Sequence, residues 1–418
     1  MTEHVLIVGS PRSGWDLPAQ VRRARPGTQT SLICRLDPEH LTRLSDVHEH
    51  AALIAVPDNA SDAQWIALAA AVHTHTPFTR AVTFTETDQD RCAAIGAALS
   101  VPAHAPETVR LVHDKHAMRT RLREAGVDST PSALVTTAAE VHRFVRAHGL
   151  PCIVKPASGA GSVGITLLTH EADIEPSIRR ATATSDEAVV EPFHTGRQFS
   201  VEAMSEDGDH QIVAVTRKLS DPQTLVELGH IVPADLTDEH QTQIYHYVTR
   251  LLTTLGISFG PTHTELVLTP DGPRVIETHL RMGGGQIPQL VHDATGIDLT
   301  DYTAQQSAGT TILPGLRAQL KKDRPARYAA VWFATPPAPG LLTAIDGLDN
   351  AWNTYTVTDI QLLTQPGTRL TPLDSGHSRL AYARTTATTA HQALHDARQA
   401  ISHLTFTIQM PAPATQTI

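Results

Sequence analysis

The stretch 151–168, PCIVKPASGAGSVGITLL, carries glycines at 159, 161 and 164, with Lys155 four residues before the first of them. The spacing matches GxGxxG, a pattern associated with dinucleotide sites. That reading requires a helix directly after the glycines, whose N-terminus receives the pyrophosphate. Here the glycines run instead into Ile165-Thr-Leu-Leu168, a β-rich run, and they follow the apolar run Cys152–Lys155. The segment is therefore expected to be a two-stranded hairpin with a glycine-rich cover. Glycines let backbone N–H groups approach phosphate oxygens closely, and Lys155 adds a point charge. The pattern GxxxxGK[ST] is absent, which excludes a P-loop. A solvated glycine hairpin is the plainer reading, and the rest of the chain must decide.

A second stretch, 262–281, reads THTELVLTPDGPRVIETHLR. Asp271-Gly272 is a hairpin turn, and Glu265 and Glu277 lie six residues to either side of Asp271. The two carboxylates are thus expected opposite one another on adjacent strands. Acids so placed repel unless a cation lies between them, and hard oxygen donors suit Mg²⁺ bridging to phosphates. Period-two alternation puts Glu277, His279 and Arg281 on one face. Arg281 is then placed to offset charge on a phosphoryl group or an oxyanion. Three glycines, Gly283 to Gly285, follow and are expected to let a substrate approach the backbone.

Around these stretches the chain alternates strands and helices. Strands are expected at His4–Val8, Ser31–Cys34, Ala52–Ala55 and Ala81–Phe84, with a turn-rich Gly9–Gly14 and helices at Ala63–Val72 and Arg91–Leu99. Such alternation implies an open parallel α/β sheet. A charged helix from about Thr108 to Ala125 ends at Gly126. Further strands are expected at Ala188–Glu191, Phe199–Ser205 and Gln211–Lys218, then a strand-rich region closed by a helix at Ala387–Ile401. The expected domains are an N-terminal α/β unit at 1–106, a connecting helix at 107–126, a small lid at 127–195, a catalytic core at 196–325, a C-terminal subdomain at 326–410 and a tail at 411–418.

Composition bounds the function. The 418 residues carry 33 basic and 43 acidic side chains, a net charge of −10 without a long basic run, which argues against nucleic acid or an anionic membrane as partner. Cys34, Cys92 and Cys152 form no CxxC pair, so a reducing cytoplasm is expected. No stretch approaches the ~20 apolar residues of a membrane span, and HExxH is absent among the 24 histidines.

Taken in order, these motifs resemble the ATP-grasp superfamily. The series is Asp114-Lys115-His-Ala-Met-Arg119, the Lys155 strand, the glycine loop, the hinge strand Val189-Val-Glu191-Pro192-Phe193 and the Glu265…Glu277-x-His279-x-Arg281 hairpin. The resemblance implies an α/β and α+β protein, with an open parallel N-terminal domain, a small lid and a large mixed-sheet domain. It further implies ATP phosphates at Lys115, Lys155, Ser158, Gly159, Gly161, Ser162 and Gly164, adenine at Glu191, Pro192 and Phe193, and ribose at Gln198. Mg²⁺, expected as two ions with Mn²⁺ as a substitute, would sit at Glu265, Glu277 and His279. Gln198 and His279 depart from the family's usual Glu and Asn.

Within the superfamily, three segments resemble the L-amino acid ligases: Gln198–Glu202, Glu227-Leu-Gly-His230-Ile-Val-Pro233 and Arg281-Met-Gly-Gly-Gly285-Gln-Ile-Pro288. That likeness implies ligation of a carboxylate and an amine through an acyl phosphate, on amino acid-like substrates. Arg281 and His230 would be catalytic, and Glu86, His230, Arg281, Gly284 and Gly285 would meet substrate. Glu86 follows the strand Ala81–Phe84, where open α/β sheets bind ligands, and would pair with an ammonium group. A homodimer is one option for the assembly. The alternatives are a bicarbonate-using carboxylase of the same superfamily and a non-catalytic nucleotide-binding regulator.

Overall fold

The computed structural model describes residues 2–9, 17–35, 48–158, 164–183, 185–323 and 326–410. The expected turn residues 10–14, the loop residues Gly159, Gly161 and Ser162, and the tail lie outside the described residues.

The N-terminal unit comprises β1 (His4–Val8), α1 (Leu17–Ala24), β2 (Gln29–Arg35), β3 (Ala52–Val56), α2 (Asp62–His75), β4 (Arg80–Val82) and α3 (Gln89–Leu99). Its sheet runs β3-β2-β1-β4 with every pairing parallel. All five residues of β1 are buried, as expected of a strand covered on both faces.

The single helix expected over Thr108–Ala125 is two, α4 (Pro106–His113) and α5 (Lys115–Glu124). Asp114 breaks it by adopting an extended conformation and capping the second helix, its Oδ1 accepting the Ala117 N–H at 2.9 Å. The cap sets Lys115 at the first position of α5.

The next unit holds β5 (Ala133–Val135), α6 (Ala138–His148), β6 (Cys152–Pro156), β7 (Thr166–Leu168), α7 (Ile174–Thr182) and β8 (Ala188–Pro192). Its sheet runs β5-β8-β6-β7, antiparallel throughout. Cys152 pairs with Leu168, so the glycine stretch joins two antiparallel strands.

The remaining chain forms β9 (Arg197–Glu206), β10 (Asp209–Ser220), β11 (Glu227–Val232), α8 (Asp238–Thr254), β12 (Gly260–Thr269), β13 (Gly272–His279), α9 (Ile287–Thr295), α10 (Leu299–Ser307) and α11 (Leu313–Leu320). There follow β14 (Tyr328–Ala334), β15 (Gly340–Asp346), α12 (Leu348–Trp352), β16 (Val357–Leu362), β17 (Arg369–Leu370), β18 (Ala381–Ala387), α13 (Ala390–Ser402) and β19 (Thr405–Gln409). The closing helix thus starts later than expected: Ala387 belongs to β18, and the Thr389 side chain caps α13 by accepting the Gln392 N–H.

The large sheet, expected as mixed, pairs antiparallel at each step in the order β13-β12-β9-β10-β11-β14-β18-β16. It passes without a break from the core strands into those of the C-terminal region. One apolar core joins Val5 and Ile7 of β1 to Leu290 and Val291 of α9 and to Val331 and Phe333 of β14. Among the described residues no helix is long and apolar enough to cross a membrane.

Two contacts fix how the units meet. Gly229 of β11 pairs with Trp332 of β14, and a Cβ at Gly229 would stand 2.5 Å from the indole and 2.6 Å from the Val331 carbonyl oxygen. In the second contact Arg119 of α5 grips Glu191 of β8, donating from Nε at 2.8 Å and from Nη2 at 3.1 Å. Burial opposes the Glu191 charge, yet Arg119 and Lys155 hold its carboxyl down at about 2.

Gly229→Ala should lower the unfolding free energy by about 1–3 kcal/mol through overpacking, read as a lower urea midpoint at constant slope. Arg119→Met leaves a buried carboxylate short of a cation and should cost about 3–5 kcal/mol at neutral pH. A depressed carboxyl contributes stability above its unfolded value, near 4.5, and loses it as pH falls through about 2. The difference between wild type and Arg119→Met should therefore shrink from pH 4.5 toward 2 in urea titrations.

Candidate active site

A cleft of about 120 Å³ opens between the small antiparallel sheet and the strands β9–β13. Lys115, Lys155, Ser158, Glu191, Phe193 and Gln198 line it, together with Glu265 and Glu277. The local structure explains how they converge. Lys155 sits on β6 with both neighbours in sequence buried or half-buried, and its Nζ meets Glu191 Oε2 at 3.0 Å. Burial lowers the Lys155 pKa, against the pull of Glu191. The Glu191 side chain is turned into this buried pair, so at Glu191 only the backbone is left to face a ligand. Gln198 Oε1 accepts the Ser220 hydroxyl at 3.2 Å, which orients the amide at the cleft wall.

The register pairs Glu265 with Glu277 across β12 and β13. Each carboxylate already has cations. Glu265 meets Lys218 Nζ at 2.5 Å and His263 Nε2 at 3.2 Å. Glu277 meets Lys115 Nζ at 3.7 Å and His279 Nε2 at 3.2 Å. Burial resists both charges, but His279, Lys115 and Lys155 hold Glu277 far below the ordinary carboxyl range, and Lys218 and His263 hold Glu265 down. The two carboxylates and Glu227 repel one another across this space. Two ionised oxygen donors face each other, and no group of three or more His, Cys, Asp or Glu ligands occurs among the described residues. That donor set fits Mg²⁺, which takes one or two carboxylates and fills its shell with water and phosphate oxygens.

His279, expected beside them as a ligand, lies between Glu277 and Glu86. Its Nδ1 lies 2.5 Å from Glu86 Oε1 and its Nε2 contacts Glu277, and these carboxylates raise its pKa against burial. Both ring nitrogens thus face carboxylates. Glu86 also accepts from Arg281 Nε at 2.9 Å, and despite burial its carboxyl is held at about 2 by His279 and Arg281. Glu86 thus bridges the N-terminal unit to the end of β13 and to Arg281, which lines a second cavity.

His230 is fully buried rather than open to the cleft. Its Nε2 lies 3.3 Å from Glu227 Oε2, and burial lowers its pKa. A Cβ at Gly285 would meet that nitrogen at 2.7 Å, while one at Gly283 would meet His263 Nδ1 at 2.8 Å. These two glycines are needed for packing over histidines; Gly284 alone of the three has open space around it.

Four residues of the site escaped the sequence reading. Lys218, buried and raised in pKa by Glu227 and Glu265 against desolvation, links those two carboxylates. It was detectable as a lysine following the apolar run Ile212–Val215 of β10. Arg119 secures the hinge strand, and Glu202 holds His263 at 2.7 Å, helping to push its pKa up to about 9 against burial. Arg379, from the loop before β18, reaches Glu227 at 3.3 Å with its guanidinium 4.1 Å over Phe333. Nothing local in the sequence marks it.

Comparison with known proteins supplies the family. Residues 148–289 match the ATP-grasp domain, and residues 332–409 match the L-amino acid ligase C-terminal domain 2. The chain is 32% identical over 289 residues to an uncharacterized protein, y4rH, of Sinorhizobium fredii, a match taking in 68% of this chain and 58% of that one. It is 28% identical over 212 residues to the alanine–anticapsin ligase of Bacillus subtilis, 44% of each chain. The chain therefore spans about half the length of these two relatives. The crystal structure of an L-amino acid ligase from Bacillus licheniformis superposes with a TM-score of 0.80, covering 97% of this chain and 99% of that one at 21% identity, a likeness of fold. The chain thus carries an ATP-grasp domain followed by an L-amino acid ligase C-terminal domain.

Proposed function

We propose that the protein joins a carboxylate to an amine at the expense of ATP, through an acyl phosphate, on amino acid-like substrates. The observation that carries this reading is the cleft's lysines and paired carboxylates, joined to Arg281 through the contacts Glu277–His279, His279–Glu86 and Glu86–Arg281. The name alanine–anticapsin ligase, borne by a relative, is that of an amide-type ligation and supports the same class.

In this reading a donor carboxylate oxygen attacks the γ-phosphorus of ATP in line, and the bond to the β-phosphate oxygen breaks, releasing ADP. Catalysis of such a step is mainly positioning and charge stabilisation. Lys115 and Lys155 move from Glu277 and Glu191 toward phosphate oxygens. Glu265 and Glu277 would hold Mg²⁺, which would offset phosphate charge. The amine nitrogen then attacks the acyl carbon, the carbon–oxygen bond to phosphate breaks, and inorganic phosphate leaves. Arg281 stands where the tetrahedral oxyanion needs a fixed positive charge, and Glu86 and His279 set its orientation. His230 acts from beneath, shaping the Gly285 turn without touching substrate.

A phosphate-release screen over paired amino acids and carboxylates, with mass analysis of the product, tests the reading. Arg281→Ala should lower kcat by roughly 10²–10³-fold and Glu277→Gln should abolish release at ordinary Mg²⁺. An Arg281→Ala enzyme with wild-type turnover would remove that residue from the chemistry. Bicarbonate-dependent ADP release without an amine would point to a carboxylase instead.

A further inference from the structure

A second cavity, of about 220 Å³, lies between the N-terminal sheet and residues 280–284, with Arg281 in its wall. It adjoins the carboxyl end of β4. There the strand order reverses, since β2 and β3 lie on one side of β1 and β4 on the other. Open parallel sheets bind ligands in the crevice at such a reversal.

The wall is mostly apolar, built from Phe84, Cys92, Ala93, Phe259, Leu280 and Met282. Several polar side chains on it are already engaged by protein. Gln89 Nε2 donates to the Leu280 carbonyl at 3.1 Å, and Gln306 accepts from Gly260 N–H and donates to the Ser205 carbonyl, each at 2.8 Å. The Thr303 hydroxyl donates to the Leu299 carbonyl at 2.7 Å. His104 stacks on Phe259 with ring centroids 4.2 Å apart, and burial lowers its pKa to about 4, so the ring is neutral. Arg80 Nε and His104 Nδ1 are buried without a hydrogen-bond partner, while Arg80 Nη1 donates to the Gln306 carbonyl at 3.3 Å. Water needs two to four partners, whereas an apolar cavity of about 150 Å³ stays dry and takes a benzene-sized guest. Arg281 and Gly284 belong to its lining, and nothing lies within 4 Å of a Cβ built at Gly284.

We infer that this cavity is the side-chain pocket of the acyl donor, taking an apolar group of aromatic-ring or branched-alkyl size while the donor's carboxylate remains at Arg281. The inference rests on the ligase reading for the identity of the donor; the apolar site itself does not. A donor with a small side chain leaves the cavity empty and forgoes its burial, so larger apolar donors are preferred.

Indole is the binding probe, and donors from L-alanine to L-phenylalanine are compared in phosphate release. Indole should bind the wild type by calorimetry, compete with the larger donors and leave the affinity for a non-hydrolysable ATP analogue unchanged. Ala93→Leu fills the cavity from α3. It should abolish indole binding and raise KM for L-phenylalanine by roughly 10–100-fold, with KM for L-alanine unchanged. Ser307→Leu, from α10 on the opposite wall, is the second variant should the first not fold. Wild-type protein that does not bind indole, or binds it without competition against donor, overturns the inference, as does an equal effect of the variants on both donors. Absence of phosphate release with every pair overturns the ligase reading instead, and indole binding lost in Ala93→Leu would then still establish the apolar site.

Discussion

Glu202, Glu227, Glu265 and Glu277 lie on four strands of one sheet and bring their carboxylates into one largely buried region. Unit charges about 4 Å apart in a protein interior interact by several kcal/mol, so a cluster of acids such as this needs cations in contact with it. The cations come from separate parts of the chain: Lys115 from α5, Lys218 from β10, His263 and His279 from the hairpin itself, and Arg379 from the C-terminal region. Charge neutrality therefore constrains where the helix, the sheet and the C-terminal strands can stand. In the proposed reaction a nucleotide and its cation enter by exchange. Lysines would pass from carboxylate to phosphate, and Glu265 and Glu277 would be the residues to hold the cation, so the site would carry little uncompensated charge at either stage.

The strands were readable because each is an uninterrupted apolar run or a clear alternation, and the Glu265–Glu277 pairing came from symmetry about Asp271. That symmetry holds for a reason the sequence does not display. The pairs Thr269–Gly272 to Leu266–Val275 run without a shift, and continuing them would set Glu265 opposite Ile276. A register shift between Glu265 and Leu266 adds one residue and restores the two acids as partners. Helices α8 to α11 were not foreseen, and the break at Asp114 was hidden inside a continuous charged pattern. Arg119, Lys218 and Arg379 were missed because their partners are distant in sequence, as with Arg119 and Glu191. Local pattern reports which face is buried; it does not report which buried charges meet.

The run Gly283–Gly285 shows how far composition alone can mislead. Three adjacent glycines suggest a yielding backbone, yet two are required by contact. Gly283 lies against the His263–Glu202 pair, and Gly285, at φ +58°, lies against His230 and within reach of Arg379. On the other side Glu86 fixes His279 and Arg281. The first and last units of the chain thus each supply one charged residue to the same short segment and hold it from opposite sides. A group that must stabilise developing charge is effective when its position is set before the reaction. In the proposed reaction Arg281 would meet that condition, because the glycines beside it fit tightly over buried histidines and Gly284 alone of the run has open space around it.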